Sequence, residues 1–209
     1  MRSPHAVLPA RLLTTRAAAG AVGAGLALYF AFYGAIFTLS LYFQQVLHYG
    51  PARTGLLFVP MTLLITGATV VSGRWSARAG PFVPMATGLL GMAVGFVALS
   101  GVSANSPVWV FAAATVPIGL GSGIAGPAIP IALLAALPPE RSGIASGVAN
   151  ALRQVAATIG VAVFGALLVG HAGLAGGLPL ACLVAAITLL AGFVLLLTCG
   201  RGAAPPAAA

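Results

Sequence analysis

The sequence has almost no negative charge and contains no lysine. Its 209 residues include nine Arg and a single acidic residue, Glu140, so charged residues make up only 5% of the chain. Hydrophobic residues make up 60%, whereas soluble domains carry about 25% charged residues and roughly half apolar ones. This composition excludes an ordinary soluble domain and indicates a protein whose solvent is lipid.

The residue patterns of enzymes and of metal or cofactor sites are also missing. The sequence has no phosphate-binding loop, no HExxH, no GxSxG and no paired carboxylates, so catalysis by acid/base, metal or nucleophilic chemistry lacks its residues. The two cysteines, Cys182 and Cys199, share the last apolar run and have no metal-ligand spacing. We therefore expect no enzyme, no cofactor and no metal.

Long apolar runs separated by Pro, Gly and Arg predict six membrane-spanning helices. The sequence therefore predicts an all-α, polytopic membrane fold with a cytoplasmic segment at 1–17, a six-helix unit at 18–200 and a short C-terminal tail at 201–209. A signal peptide is disfavoured, because the first run is long and lacks a convincing cleavage site. The predicted spans are 18–45, 54–73, 82–101, 108–136, 143–169 and 178–199.

The distribution of the arginines predicts the orientation of the chain. They occur singly or in pairs between apolar runs, without interleaved stacking aromatics, which argues against a nucleic-acid surface. Because Lys and Arg concentrate in cytoplasmic loops, a cytoplasmic N-terminus places eight arginines inside and Arg53 alone outside. We therefore expect a multi-pass protein of the plasma (cell inner) membrane, in contact with membrane lipid, with both termini cytoplasmic.

A short repeat divides the chain into two units of three helices. Residues 51–56 and 139–144 both match P-x-R-[ST]-G-[LI], and each opens the second helix of its unit. In the predicted orientation the two copies lie on opposite sides of the membrane, as in the inverted repeats of many secondary transporters. The alternative interpretation is that both hexamers are only helix starts with a Ser or Thr cap.

Polar stripes on spans 1 and 5 are the candidate lining of a substrate path, since polar groups within a membrane are costly and face protein or water. The alternative for Tyr29 and Tyr33 is hydrogen bonding inside the bundle, and that for Tyr42, Gln44 and Gln45 is an interfacial belt. Arg153 is either a functional intramembrane charge or a side chain that snorkels to the interface. The candidate path residues are Tyr29, Tyr33, Ser40, Gln44, Asn150, Arg153 and Gln154.

Span 4 is rich in glycine and proline. Small residues allow helices to approach closely, and prolines within a helix remove backbone donors and bend it. The pattern is typical of a hinge in a moving helix and equally of tight static packing. The candidate hinge or packing residues are Gly119, Gly123, Gly126, Pro127 and Pro130.

Three segments resemble the major facilitator superfamily, most closely the C-terminal part of the fourteen-helix drug:proton antiporters of the EmrB/QacA type. They are 41–55, similar to an outer loop of that family, 73–80, similar to its cytoplasmic loop motif, and 137–154, similar to the entry to its penultimate conserved helix. The resemblance implies a small-molecule efflux transporter and identifies a candidate cytoplasmic gating loop. Its residues are Gly73, Arg74, Arg78 and Gly80.

This sequence departs from the family pattern at two positions of the loop and lacks a counterpart for half of the transporter. Ala77 stands where the motif usually has Asp, and Phe82 where a basic residue often occurs, which puts the ion-pair latch of that loop in doubt. No span contains Asp or Glu, so we expect the group that couples transport to protons to lie outside this chain. Residues 4–16 resemble the segment leading into the C-terminal half, which implies that the chain begins mid-protein.

Three functions remain open from the sequence. The first is a C-terminal transporter half, or a truncated chain, that works with an N-terminal half. The second is a homodimer that builds a path for a small-molecule substrate from two copies. The third is a non-transporting membrane scaffold or an inactive remnant. Six helices alone provide no second bundle against which to rock, so the first two each require a partner.

Overall fold

A computed structural model describes residues 16–103, 106–135, 142–170 and 173–200. In these ranges the chain forms six long helices and no strand, and each helix is long and apolar enough to cross a membrane. The prediction of an all-α, six-span membrane protein is therefore confirmed. The helices are α1 (Arg16–Leu41), α2 (Pro51–Ala79), α3 (Phe82–Ser100), α4 (Val108–Ala135), α5 (Ser142–Gly170) and α6 (Gly173–Gly200).

Helix α2 is longer than the predicted span of 54–73. It begins at Pro51, which occupies the first turn, where the missing N–H of proline costs nothing. It continues through Gly73, since no proline follows until position 81, and ends at Gly80, whose φ of 75° suits glycine. The predicted gating loop is therefore wrong as a loop: Gly73, Arg74 and Arg78 lie on the last turns of α2, and only Gly80 lies beyond it.

The end of α1 widens into a π-helical turn over Tyr42–Val46. The side chains of Tyr42 and Phe43 are buried there and meet the ring of Phe111 on α4 at centroid distances of 5.7 and 5.5 Å. Tyr42 is 1% exposed. It is a core residue, and its assignment to an interfacial belt is wrong.

The helices pack as expected for two repeated units, α1–α3 and α4–α6. The central helices α1 and α4 contact each other, and α3 and α6 pack together and against both units. Helix α2 packs mainly on α4, and its counterpart α5 packs mainly on α1. Exchanging the two units reproduces the major contacts, since α3 on α4 corresponds to α6 on α1 and α2 on α4 corresponds to α5 on α1. Because each unit has three spans, the second unit enters from the opposite side, which gives an inverted repeat.

Glycines allow an outer helix to approach a central helix closely in each of the two units. A Cβ at Gly123 of α4 would lie 2.6 Å from the carbonyl oxygen of Ile65 on α2. A Cβ at Gly160 of α5 would likewise collide with the carbonyl oxygen of Phe30 on α1. Both helices that flank the central pair are thus seated on it by backbone contact at a glycine.

Candidate functional site

Helices α2 and α5 are the least covered helices of the bundle. In the membrane-crossing window of each helix, 17% of the residues of α2 and 22% of those of α5 are buried, against 39% to 56% in the other four. The buried side of α2 is a narrow stripe: Thr54, Met61, Ala68, Ser72 and Ser76. Most of both helices therefore faces away from the rest of the bundle.

Arg153 lies on the uncovered face of α5, deep within the span. The candidate span runs from Ser142 to Leu168, and Arg153 stands two residues before its midpoint. At 1.5 Å per residue it is about 16 Å along the helix from Ser142. Its guanidinium donates a hydrogen bond of 2.9 Å to Oδ1 of Asn150, one turn nearer the start of α5. Both side chains are exposed, so the charge is solvated by one neutral amide and not by an anion.

The two predicted polar stripes meet at this point. Tyr29 of α1 lies close enough to Arg153 of α5 for its phenol oxygen to interact electrostatically with the guanidinium, and Tyr33, one turn further along α1, is also within this range of Tyr29. Both tyrosines are half-buried. Tyr29, Tyr33, Asn150 and Arg153 thus form a polar cluster beside the seam between α1 and α5.

The other predicted path residues lie apart from this cluster. Nε2 of Gln44 donates to Oγ of Ser40 at 3.0 Å, near the end of α1, about 10 Å along the helix from Tyr33. Gln154 is exposed on α5, and within the described chain its side chain makes no hydrogen bond. The seven predicted residues therefore divide into a cluster near the middle of α1 and α5, a pair near the end of α1 and the separate amide of Gln154.

Two of the candidate hinge residues of α4 serve close packing. A Cβ at Gly119 would lie 3.1 Å from the carbonyl oxygen of Met61, and Gly123 meets Ile65 of the same helix α2, whereas nothing lies within 4 Å of a Cβ at Gly126. Helix α4 is continuous and contains both Pro127 and Pro130. A hinge at these prolines stays a prediction.

One hydrogen bond joins the C-terminal part of α2 to α4. Oγ of Ser72 donates a hydrogen bond of 2.5 Å to the carbonyl oxygen of Ile124. Beyond it, Arg74 and Arg78 are exposed, as is Ala77, and no acidic residue lies in the described part of the chain. The two arginines therefore lack an ion-pair partner there.

Two spaces lined by described residues are small. A void between α1, α3, α5 and α6, lined by apolar side chains and Thr38, has essentially no room even for a water molecule. A groove beside Phe43, Phe58 and Phe111 has a volume of about 10 Å³. Ligand pockets are typically about 300–1,000 Å³, so neither space suits a drug-sized molecule. Among the described residues, no group of His, Cys, Asp and Glu is placed to hold a metal ion.

Sequence reasoning missed the role of Ser72 and the meeting of Tyr29 with Arg153. The signal that the sequence offers for Ser72 is its place among the small residues Ala68, Ser72 and Ser76, which recur at steps of four. The proximity of Tyr29 and Arg153 depends on how two distant helices pack, and no pattern within either helix predicts it.

Comparisons with known families and proteins agree with this architecture. The family model described as Major Facilitator Superfamily matches residues 3–161. The chain is 33% identical to the methylenomycin A resistance protein of Streptomyces coelicolor, over 80% of this chain and 35% of that protein. It is 32% identical to the multidrug resistance protein Stp of Mycobacterium tuberculosis, over 80% of this chain and 31% of that protein. The chain thus spans about a third of the length of these relatives.

A third relative and a solved structure extend the comparison. The tetracycline resistance determinant of Streptomyces rimosus is 27% identical over 78% of this chain and 47% of its own length. A crystal structure of the peptide transporter POT superposes with a TM-score of 0.70 and 19% identity, covering 86% of this chain and 36% of that one. At this identity the likeness shows a shared fold.

Proposed function

This chain belongs to the Major Facilitator Superfamily, and from that premise we propose that it is one six-helix half of an efflux transporter for antibiotic-like small molecules. It works with a second membrane bundle. The named relatives are resistance proteins for methylenomycin A, for tetracycline and for multiple drugs, which is the basis for the proposed substrate class. Catalysis has no part in the proposal.

The uncovered faces of α2 and α5 carry the proposal. These two helices hold equivalent positions in the repeat and are the least buried of the six. A face with a charge and an amide at mid-membrane is costly in lipid and is expected to meet protein or water. A second bundle set against α2 and α5 satisfies this requirement and leaves α1 and α4 beside the space between the bundles.

The substrate path is proposed to run between the two bundles. The void and the groove lined by described residues of this bundle are both smaller than a drug-sized pocket. Tyr29, Tyr33 and Asn150 instead lie at the seam of α1 and α5, beside the uncovered face. In the proposal these side chains line the path, and Ser40 and Gln44 lie nearer to one of its ends.

The chain is a multi-pass membrane protein, and its orientation is part of the proposal. The excess of arginine on one side supports cytoplasmic termini in the cell inner membrane, with residues 1–17 and 201–209 inside. Cysteine labelling tests this in a variant in which Cys182 and Cys199 are replaced by Ala. Arg53→Cys is expected to react with an impermeant reagent in intact cells, and Ala77→Cys, which is also exposed, only after the cells are opened. The reverse pattern would contradict the orientation.

Export is tested by deleting the gene and measuring accumulation of tetracycline and of a panel of related antibiotics in the cells. The proposal predicts that the deletion raises accumulation and that the wild-type chain restores export in the cells that naturally produce it. Restoration is expected to fail in a foreign host that lacks the second bundle, even when the chain inserts in normal amount. Unchanged accumulation of every antibiotic on deletion would support a non-transporting scaffold or an inactive remnant instead.

A further inference from the structure

We infer that the backbone carbonyl of Gly126 on α4 is a subsite of the substrate path and accepts a hydrogen bond from an N–H or O–H group of the exported molecule. The inference rests on the proposed function, since it assumes that a molecule passes along this bundle. It adds a recognition group to the path and the chemical class of the group that it binds.

The prolines of α4 leave some of its carbonyls without a helical donor. They are Pro117, Pro127 and Pro130. A proline within a helix has no N–H for the carbonyl four residues earlier, and its ring crowds that carbonyl. The carbonyls that lose their donor are those of Ala113, Gly123 and Gly126. In a membrane such carbonyls are tolerated where neighbouring side chains or water satisfy them.

Gly126 differs from the other two residues in its surroundings. Ala113 is five residues from the start of α4, near the end of the span. Gly123 is buried and packs against Ile65 of α2, which leaves no room for a ligand. Gly126 is half-buried, and nothing lies within 4 Å of a Cβ placed there. Its carbonyl is therefore the one that lies beside open space within the span.

The hydroxyl groups nearest to Gly126 along the helices bond elsewhere. Oγ of Ser122 donates to the carbonyl of Gly119 at 3.0 Å, and Oγ of Ser72 donates to the carbonyl of Ile124. Within the described part of the chain, no side chain donates to the carbonyl of Gly126. The remaining donors for this carbonyl are water and a molecule in the path.

Gly126 points into the gap between α1 and α2. Gly123 faces α2, whereas Ile129 faces α1, where a Cβ at Gly25 would lie 3.2 Å from Cγ2 of Ile129. Gly126 is three residues from both Gly123 and Ile129, which is about 60° of rotation around α4 from each. Helices α1 and α2 make almost no contact with each other, so the groove between them stays open at Gly126.

This groove lies at the depth of the predicted path. Helices α1 and α4 are three spans apart and cross the membrane in opposite directions, and the approach of Gly25 to Ile129 shows which of their residues share a depth. Tyr29 is four residues after Gly25, and Gly126 is three residues before Ile129, so both are displaced in the same direction by about 4.5–6 Å. A molecule that passes Tyr29 therefore passes the free carbonyl.

Restoring the missing N–H tests the inference. Pro130→Ala supplies a helical donor to Gly126, and the chain is expected to fold because alanine favours a helix. The probes are the antibiotic whose accumulation rises most on gene deletion and its derivatives methylated at single N–H or O–H groups. In the cells that naturally produce the protein, we expect Pro130→Ala to lower export of the parent antibiotic about three- to tenfold. At least one methylated derivative is expected to be exported equally by Pro130→Ala and wild type.

Pro127→Ala is the matched control, because it supplies a donor to the buried carbonyl of Gly123. It is expected to leave the ratio of parent to derivative export within about twofold of wild type. An equal loss of the parent and every derivative in Pro130→Ala would indicate a hinge and overturn the inference. No loss in Pro130→Ala, or a larger change of the ratio in Pro127→Ala, would also overturn it. These results leave the proposed function standing, which fails only if gene deletion changes no accumulation.

Thiol labelling tests the open groove without measuring export. In the variant without cysteines, Gly126→Cys places a thiol in open space. Leu90→Cys on α3 is the matched control, since Leu90 is 37% exposed and Gly88, two residues earlier, packs against Ala125 at a similar depth. A water-soluble methanethiosulfonate reacts with the thiolate, which forms in water and not in lipid, so we expect Gly126→Cys to react about tenfold faster in opened native membranes. Equal rates would overturn the inference.

Discussion

Helices α2 and α5 occupy equivalent positions in the two units, yet their uncovered faces differ in chemistry. On α2 the exposed hydroxyls of Thr62, Thr66 and Thr69 each donate to the carbonyl four residues earlier in their own helix. On α5 the exposed groups include Arg153 and Asn150, which are hydrogen-bonded to each other at 2.9 Å. The exposed threonines of α2 are thus satisfied within their own helix, whereas the guanidinium of Arg153 on α5 is bonded to one neutral amide.

This difference teaches that exposure alone does not identify an interface in a membrane. Hydroxyls bonded to their own backbone are tolerated against lipid, so α2 can face either lipid or protein without a large penalty. A guanidinium at mid-membrane requires protein or water. We therefore expect the proposed second bundle to be required more strictly at α5 than at α2.

The largest expected effect is on export, from Arg153→Gln. The change removes the charge that sets α5 apart from α2, and we expect export to fall at least tenfold while insertion stays normal. Arg153→Lys is expected to retain more export because it keeps the charge. The matched control is Thr66→Val on α2, which should leave export within about twofold of wild type. Equal export by Arg153→Gln and wild type would contradict the claim that the exposed face of α5 matters more for export than that of α2.

The next largest effect is a loss of stability when alanine replaces a glycine at a close contact between two helices. Gly160→Ala, at the contact of α5 with Phe30, and Gly123→Ala, at the contact of α4 with α2, are both expected to destabilise the bundle by about 1–3 kcal/mol through overpacking. The controls are Gly147→Ala and Gly126→Ala, where nothing lies within 4 Å of the new Cβ. Thermal unfolding in detergent measures the difference. A loss in the controls as large as in the contact variants would mean that helix propensity or bending dominates.

The smallest effect is the loss of the hydrogen bond that fixes α2. Ser72→Ala removes the bond to the Ile124 carbonyl, and we expect a loss of about 0.5–1.5 kcal/mol in unfolding free energy. Thr69→Ala removes a hydroxyl that bonds only within α2 and is expected to cost less. A melting temperature unchanged by Ser72→Ala would show that packing alone seats α2.

Much of the fold could be predicted because a membrane imposes strict rules on a sequence. Six apolar runs predicted the six helices. A repeated hexamer at 51–56 and 139–144 predicted the two inverted units, and the packing of α2 on α4 and of α5 on α1 follows that symmetry. The end of α2 was missed because Gly73 looked like a stop signal. Glycine weakens a helix but does not end one, whereas the Gly80–Pro81 pair does.

The site could be predicted only in part, since helical periodicity places residues on one face without saying what that face meets. Helical spacing groups Tyr29 with Tyr33 on α1 and Asn150 with Arg153 on α5, but whether the two groups come near each other depends on the packing of those two helices. Tyr42 was expected at the membrane interface, but it lies in a π-helical turn at the end of α1 and packs among aromatic rings. A strict 3.6-residue period does not include such a turn.

The mass of the assembly extracted from native membranes tests the central claim most directly. The chain has a mass of 20.6 kDa. The account predicts an assembly larger than this, in which the six helices are found together with a second membrane bundle, and predicts that Arg153→Gln weakens the association of the two. A mass of 20.6 kDa, with no second bundle bound, would contradict the account.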